Sequence, residues 1–156
     1  MNNINWQFKH FSELTTDELY KILTLRNEIF VVEQNCVYLD TDDKDLDVWH
    51  LFGSIEEQVI AYARIIPPGI SYDTASIGRV VVNQKYRSNG IGYTLMKLAI
   101  NETLNQFSVN TITISAQEYL LKFYSSLGFV QISEPYLEDD IPHVKMIYKN
   151  NESNSL

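Results

Sequence analysis

The sequence predicts an α+β (mixed α/β) fold in which helices cover a central sheet. Three observations carry this reading. Segments with the two-residue apolar period of a strand alternate with segments of helical period; three β-rich runs follow one another as an antiparallel meander; and a later strand, helix and strand in succession favour parallel pairing. With 156 residues the chain is long enough for one domain with a substantial core. Residues 1–149 are read as that single domain. Residues 150–156 hold almost nothing that could be buried and are read as a flexible tail.

INWQFKH, residues 4–10, alternates apolar and polar positions with Ile4, Trp6 and Phe8 on one side, the pattern of a half-buried strand. Thr15 and Glu18 have capping-box spacing, and Leu19, Ile22 and Leu23 recur on one face, so a helix is expected from there to about Phe30. VWHLFGS, QVIAYARII and ASIGRVVVN are the three meander strands, divided by Glu56-Glu57 and by the turn-forming Pro67-Pro68-Gly69. A helix beginning near Gly90 presents Leu95, Leu98, Ala99 and Leu104, and TITISA from Thr111 has the β-branched run of a buried strand. A further helix over about residues 118–127 closes on Gly128, where a left-handed C-cap favours glycine. FVQIS then resumes the strand period, and a last strand lies in HVKMIYK.

Twenty acids against twelve bases give a net charge of -8. Such a chain repels a phosphate backbone, and no basic cluster is denser than residues 145–149, so nucleic acid is not expected as a partner. The N-terminal stretch lacks the pattern of a signal peptide, and no apolar run could span a bilayer, so the expectation is a cytoplasmic protein without a membrane partner. Lone Cys36 cannot form an internal disulfide and reads as a packed or half-exposed thiol. DTDDKDLD, residues 40–47, is not a calcium loop, because Asp45 and Leu51 stand where Gly and Glu are required. It reads as a solvated acidic loop or as a negative rim that attracts an amine cation, with Arg26 and Arg79 available to pair with it.

YRSNGIGYTLMKLAI, residues 86–100, starts a helix on glycines rather than on a side-chain cap. Helix N-termini carry unpaired N–H groups and partial positive charge, and small residues let an anion reach them. The dinucleotide fingerprint is excluded because Leu95 stands where its third glycine belongs, and the Walker loop because its Lys-Ser/Thr is missing. What remains is Arg-x-x-Gly-x-Gly between the strand IGRVVVN and a helix, which resembles the pyrophosphate motif of the GNAT superfamily of acyl-CoA-dependent N-acyltransferases. FYSSLGF, residues 123–129, is similar to that superfamily's second signature. FVVEQNCVYLDTDDKD, His50-Leu51, AYARIIPPG, IGRVVV and IPHVKM extend the likeness from about residue 5 to 148, and narrow it to the ElaA-like branch.

The resemblance implies a GNAT-like three-layer sandwich with a mixed, largely antiparallel sheet, acetyl-CoA as co-substrate and no metal. It assigns Arg87, Ser88, Asn89, Gly90, Ile91 and Gly92 to the diphosphate. Val80, Val81 and Val82 become the splayed strand that pairs with the pantetheine arm and aims an N–H at the thioester carbonyl. Gln117, where the superfamily often has Asn, falls at a cofactor contact, and Tyr124 at the place of the general acid. The residue itself suits that role, since a phenol's pKa of about 10 lies not far above a thiol's of about 8.5. Its alternative is a core tyrosine bonded to the backbone. Glu33, His50, Glu138 and His143 are the candidate bases; Glu33 follows FVV and is expected to be partly shielded, and His143 opens the last strand. The implied activity is transfer of acetyl to a primary amine of a small molecule or peptide. A non-catalytic acyl-CoA-binding regulatory module is the alternative, and a homodimer is compatible with either.

Overall fold

The computed structural model describes residues 3–151 of the chain. Its elements are β1 (Asn5–His10), α1 (Thr16–Arg26), β2 (Trp49–Ile55), β3 (Gln58–Ile66), β4 (Ala75–Val82), α2 (Ile91–Phe107), β5 (Thr111–Gln117), α3 (Leu121–Ser126), β6 (Val130–Gln131), β7 (Tyr136–Glu138) and β8 (Ile141–Lys149). They form one sheet in the order β1-β2-β3-β4-β5-β8-β6, with β7 also on β8. All pairs are antiparallel except β4 with β5, the two strands that flank α2.

Helix α1 covers one face of the sheet, where Ile22 and Leu25 pack with Phe52, Tyr62 and Val81. Helices α2 and α3 cover the other, where Leu95, Met96, Ala99 and Tyr124 join the larger core. The result is the three-layer arrangement that the periodicities imply. No helix among the described residues is long and apolar enough to cross a membrane.

The local signals act as read at several ends. Thr15 Oγ1 accepts from the Glu18 N–H at 3.1 Å while Glu18 Oε1 accepts from the Thr15 N–H at 2.9 Å, closing the capping box. Gly128 has φ +102° behind α3. There the Phe129 N–H reaches Tyr124 O at 3.2 Å and the Gly128 N–H reaches Ser125 O at 3.1 Å, the two bonds of a Schellman cap.

Other expectations need correction. The first helix does not run in α geometry to Phe30; after Arg26 it widens into a π-helical segment, Asn27–Glu33, with Gln34 N–H bonded to Ile29 O. Apolar spacing over so few residues does not separate the two windings. The region around residues 118–127 divides into a 3-10 turn, Glu118–Leu120, and the short α3. The β7–β8 hairpin is absent from the sequence reading. It turns on Asp139 and Asp140, both at positive φ (50° and 62°), without the glycine that usually signals such a loop. Asn150 does not fray: its N–H donates to Asn110 O at 2.7 Å, and the expected tail from residue 152 lies outside the described residues.

The largest correction concerns the acidic loop. Asp40 and Asp45 are buried, 4% and 6% exposed, against Arg26, which is fully buried. Arg26 Nε donates to Asp40 Oδ2 at 2.7 Å and its Nη1 to Asp45 Oδ1 at 2.8 Å. Arg64 donates to both Asp42 oxygens and to Asp45, and Arg79 pairs with Asp40 at 2.9 Å. Three arginines thus neutralise three aspartates, and a run that looks solvated in sequence becomes an internal clasp. His50 completes it. Its Nε2–H donates to Asp45 O at 3.0 Å and its Nδ1 accepts from the Tyr62 hydroxyl at 2.6 Å, which fixes a neutral imidazole in a structural role.

Removing one partner strands buried charge, so Arg26→Met should cost about 3–5 kcal/mol in urea unfolding. The clasp also sets acid stability. Burial lowers His50 below its ordinary value of 6.5. Burial alone would raise Asp42 and Asp45, but hydrogen bonds and charge from Arg64 and Arg26 outweigh it and leave both below 3.8. All three groups therefore take up protons first in the unfolded chain as pH falls. The unfolding free energy should be complete above pH 6.5, decline below it through His50, and fall again below 3.8 through the aspartates. In His50→Gln the first decline should vanish from the same titration.

Candidate active site

Strands β4 and β5 touch only at Ala75 with Ile112 and Ser76 with Thr113, although β4 continues to Val82 and β5 to Gln117. Beyond Ser76 they part. On its other edge β4 carries a bulge: the register passes from Tyr62 opposite Val81 to Arg64 opposite Gly78, so Arg79 and Val80 together face Ala63. Arg79 takes the left-handed conformation there, φ +49°, with its guanidinium on Asp40 and Asp42. A backbone opened in this way leaves strand groups facing a gap rather than a neighbour.

A cavity of about 370 Å³ occupies the gap and its mouth. Val80, Gln117, Tyr124 and His143 all line it. Tyr124 is 6% exposed, and its ring packs between Phe123 and Phe129. Its hydroxyl makes no hydrogen bond among the described residues, so the backbone-bonded core tyrosine considered above is not what forms. Burial, reinforced by Tyr119, holds this phenol above its usual pKa, and it remains a neutral O–H donor.

His143 stands opposite Gln117 across the β5–β8 pair. Its Nδ1–H donates to Ile141 O at 2.7 Å, and its Nε2 lies 3.5 Å from Glu138 Oε2. Tyr136 stacks on the imidazole, and its hydroxyl meets Ser115 Oγ at 2.6 Å. Ser115 and Tyr136 are site residues that sequence reasoning missed, because they assemble only through the glycine-free β7–β8 hairpin.

At the other end of β4, the N-terminus of α2 begins at Gly90 with φ +76° and no side-chain cap. Ser88, Asn89 and Gly90 are exposed, and a Cβ placed on Gly90 would meet nothing within 4 Å. The cradle is therefore open and its amides are accessible. Ile91 and Gly92, half-buried, continue it, with Phe123 of α3 3.8 Å from where a Gly92 Cβ would lie. Such a turn accepts a diphosphate, and the gap beside it accepts an extended arm.

Glu33 is not shielded behind Phe30 and does not line the cavity. It is exposed and grips Arg87 with both oxygens, at 2.8 and 3.1 Å, while Arg87 Nε donates to Val82 O at 3.0 Å. Val81 is 4% exposed and turns its side chain into the α1 layer, so only its backbone is available to the gap.

A parallel pair that splays beside a helix opening on glycine is the architecture of the GNAT acyltransferases. Residues 42–150 match the family model described as an acetyltransferase (GNAT) domain, and the chain belongs to that family. Within it, the chain is similar to Protein ElaA of Escherichia coli strain K12, 39% identical over 145 residues, 92% of this chain and 95% of the relative. A UPF0039 protein of Schizosaccharomyces pombe is 43% identical over 148 residues, 94% and 97% of the two chains. Among solved structures, an acyl-CoA N-acyltransferase from Pseudomonas aeruginosa matches with TM-score 0.89 and 40% identity, covering 94% of this chain and 99% of the other. The crystal structure of Escherichia coli ElaA matches with TM-score 0.89 and 38% identity, covering 94% and 100%.

If the Gly90 turn holds the diphosphate, Gly90→Val should weaken acetyl-CoA binding by about 10-fold or more in calorimetry, since a left-handed β-branched residue costs about 1–2 kcal/mol and the turn must shift to relieve it.

Proposed function

We propose that the protein is an N-acetyltransferase that moves acetyl from acetyl-CoA to a primary amine of a small molecule or peptide by direct attack. The observation that carries this reading is Tyr124, a phenol packed into the core that forms part of the wall of the cavity between the splayed strands, its hydroxyl held by no other described residue.

Acetyl-CoA supplies an activated thioester. The acceptor nitrogen forms a bond to the carbonyl carbon, the C–S bond breaks, and the amine loses a proton as the sulfur gains one. A main-chain N–H from Val80, Val81 or Val82 holds the carbonyl oxygen as negative charge develops, already aimed and needing little reorganisation. Tyr124 gives its proton to the departing sulfur. His143 Nε2 takes the proton from the amine, and the N–H so formed faces Glu138. The amides of residues 88–92 hold the diphosphate, Arg87 adds positive charge beside them from the position that Glu33 and Val82 O fix for it, and Gln117 meets the cofactor from the cavity wall. Holding amine and thioester together supplies much of the remaining acceleration.

A thiol-release assay with a panel of amines tests the proposal. Tyr124→Phe should lower kcat by about 100-fold or more while the Kd for acetyl-CoA stays within about twofold, because the hydroxyl is needed as the sulfur leaves. Saturable acetyl-CoA binding without turnover of any amine would instead identify a binding module.

A further inference from the structure

Charge pairing along the cavity wall is uneven. Arg64 and Arg79 are both occupied by aspartates of the clasp. Lys44 lines the same cavity, half-buried, and has no carboxylate within ion-pair distance among the described residues; its Nζ donates to Ser71 Oγ at 3.0 Å. The wall also bears Glu138 and Asp139, with His143 Nε2 3.5 Å from Glu138 Oε2. One cavity therefore holds an ammonium without a carboxylate partner among the described residues and, not paired with it, the carboxylates of Glu138 and Asp139. Desolvating a lone cation is costly unless something of opposite charge joins it.

We infer that the acceptor is a primary amine that also carries a carboxylate, an amino-acid-like molecule whose anion sits on Lys44 and Ser71 and whose amine faces His143 and Glu138. This rests on the acyltransferase reading and names the substrate class for that site. One ammonium and one hydroxyl match a monoanion; Lys145, the nearby ammonium over the ring of cavity-lining Tyr72, is turned to that ring, and a phosphate dianion would face the carboxylates of residues 138 and 139. The inference also fits the neutralised clasp. With Asp40, Asp42 and Asp45 held by arginines, only Asp43 and Asp47 of the loop keep exposed carboxylates without an arginine partner among the described residues, a weaker draw for a polycation than the full run would make. A zwitterion feels little of the chain's net field, so the local pair of opposite charges governs its binding.

The test compares matched acceptors with the same side chain: an amino acid, its amide, and the amine lacking the carboxyl group, with the full chain saturated in acetyl-CoA for turnover and in CoA for calorimetry. Both kcat/KM and binding affinity should favour the acid by about 10-fold or more, the worth of a charge-assisted hydrogen bond. Lys44→Gln should erase that preference while changing the amide's values by less than about threefold, Lys44→Arg should retain most of it, and Ser71→Ala should reduce it partly. Amide and acid binding alike, or Lys44→Gln weakening both equally, would overturn the inference. The two readings fail separately. Amines acetylated with no carboxylate preference refute the acceptor class alone; acids bound selectively through Lys44 but never acetylated refute the transfer and leave the carboxylate site standing.

Discussion

The divergence of β4 from β5 is the constraint on which the rest of the molecule depends. Strands that leave a sheet leave main-chain donors and acceptors without partners, a state that a folded chain avoids unless something else holds the opening. Here the holder is electrostatic. Arg79 sits in a bulge at positive φ, and its guanidinium is bound by Asp40 and Asp42, which also engage Arg26 and Arg64. The buried clasp under α1 thus reaches, through a single residue of β4, into the geometry of the gap on the strand's other edge. Replacing such a network with apolar residues would often be neutral for stability, so its position beside the bulge is better explained by the shape it imposes than by the energy it contributes.

Around that opening the molecule divides its labour among rigid elements. The N-terminus of α2 offers bare amides, β4 offers main chain, α3 offers one unbonded phenol, and β7 with β8 offers an imidazole backed by a carboxylate. The Glu33–Arg87 pair ties the π-helical segment, whose Phe30 lines the cavity together with the adjacent Gln34, to the turn that starts α2. The turn before α2 and the wall of the cavity are therefore physically joined before any ligand arrives.

Much of the fold was legible because its signals are local. Alternation gave β1 and the meander, the capping box gave the start of α1, Gly128 gave the end of α3, and the strand–helix–strand succession gave the one parallel pair. What escaped depended on distance in space rather than on spacing in sequence. All five aspartates of residues 40–47 look solvated in sequence; Asp43 and Asp47 are exposed, but three arginines from α1, β3 and β4 converge on Asp40, Asp42 and Asp45. The turn at Asp139-Asp140 carries no glycine, so β7, and with it the placement of Tyr136 and Glu138 against His143 and Ser115, had no sequence marker. Glu33 was expected to be shielded from the apolar residues before it, but the wide π winding carries it out to Arg87. Tyr124 and His143, named from the likeness to the superfamily, both line the cavity; Lys44, which lines it too, carried no such marker, because what sets it apart is a carboxylate partner that it lacks among the described residues.

The structure of the complex with acetyl-CoA tests the central claim most directly. The account predicts the thioester between β4 and β5, its carbonyl oxygen about 3 Å from a main-chain N–H of Val80, Val81 or Val82, and its sulfur within reach of the Tyr124 hydroxyl. Density for the ligand elsewhere, or β4 and β5 paired along their full length with no room between them, would contradict it.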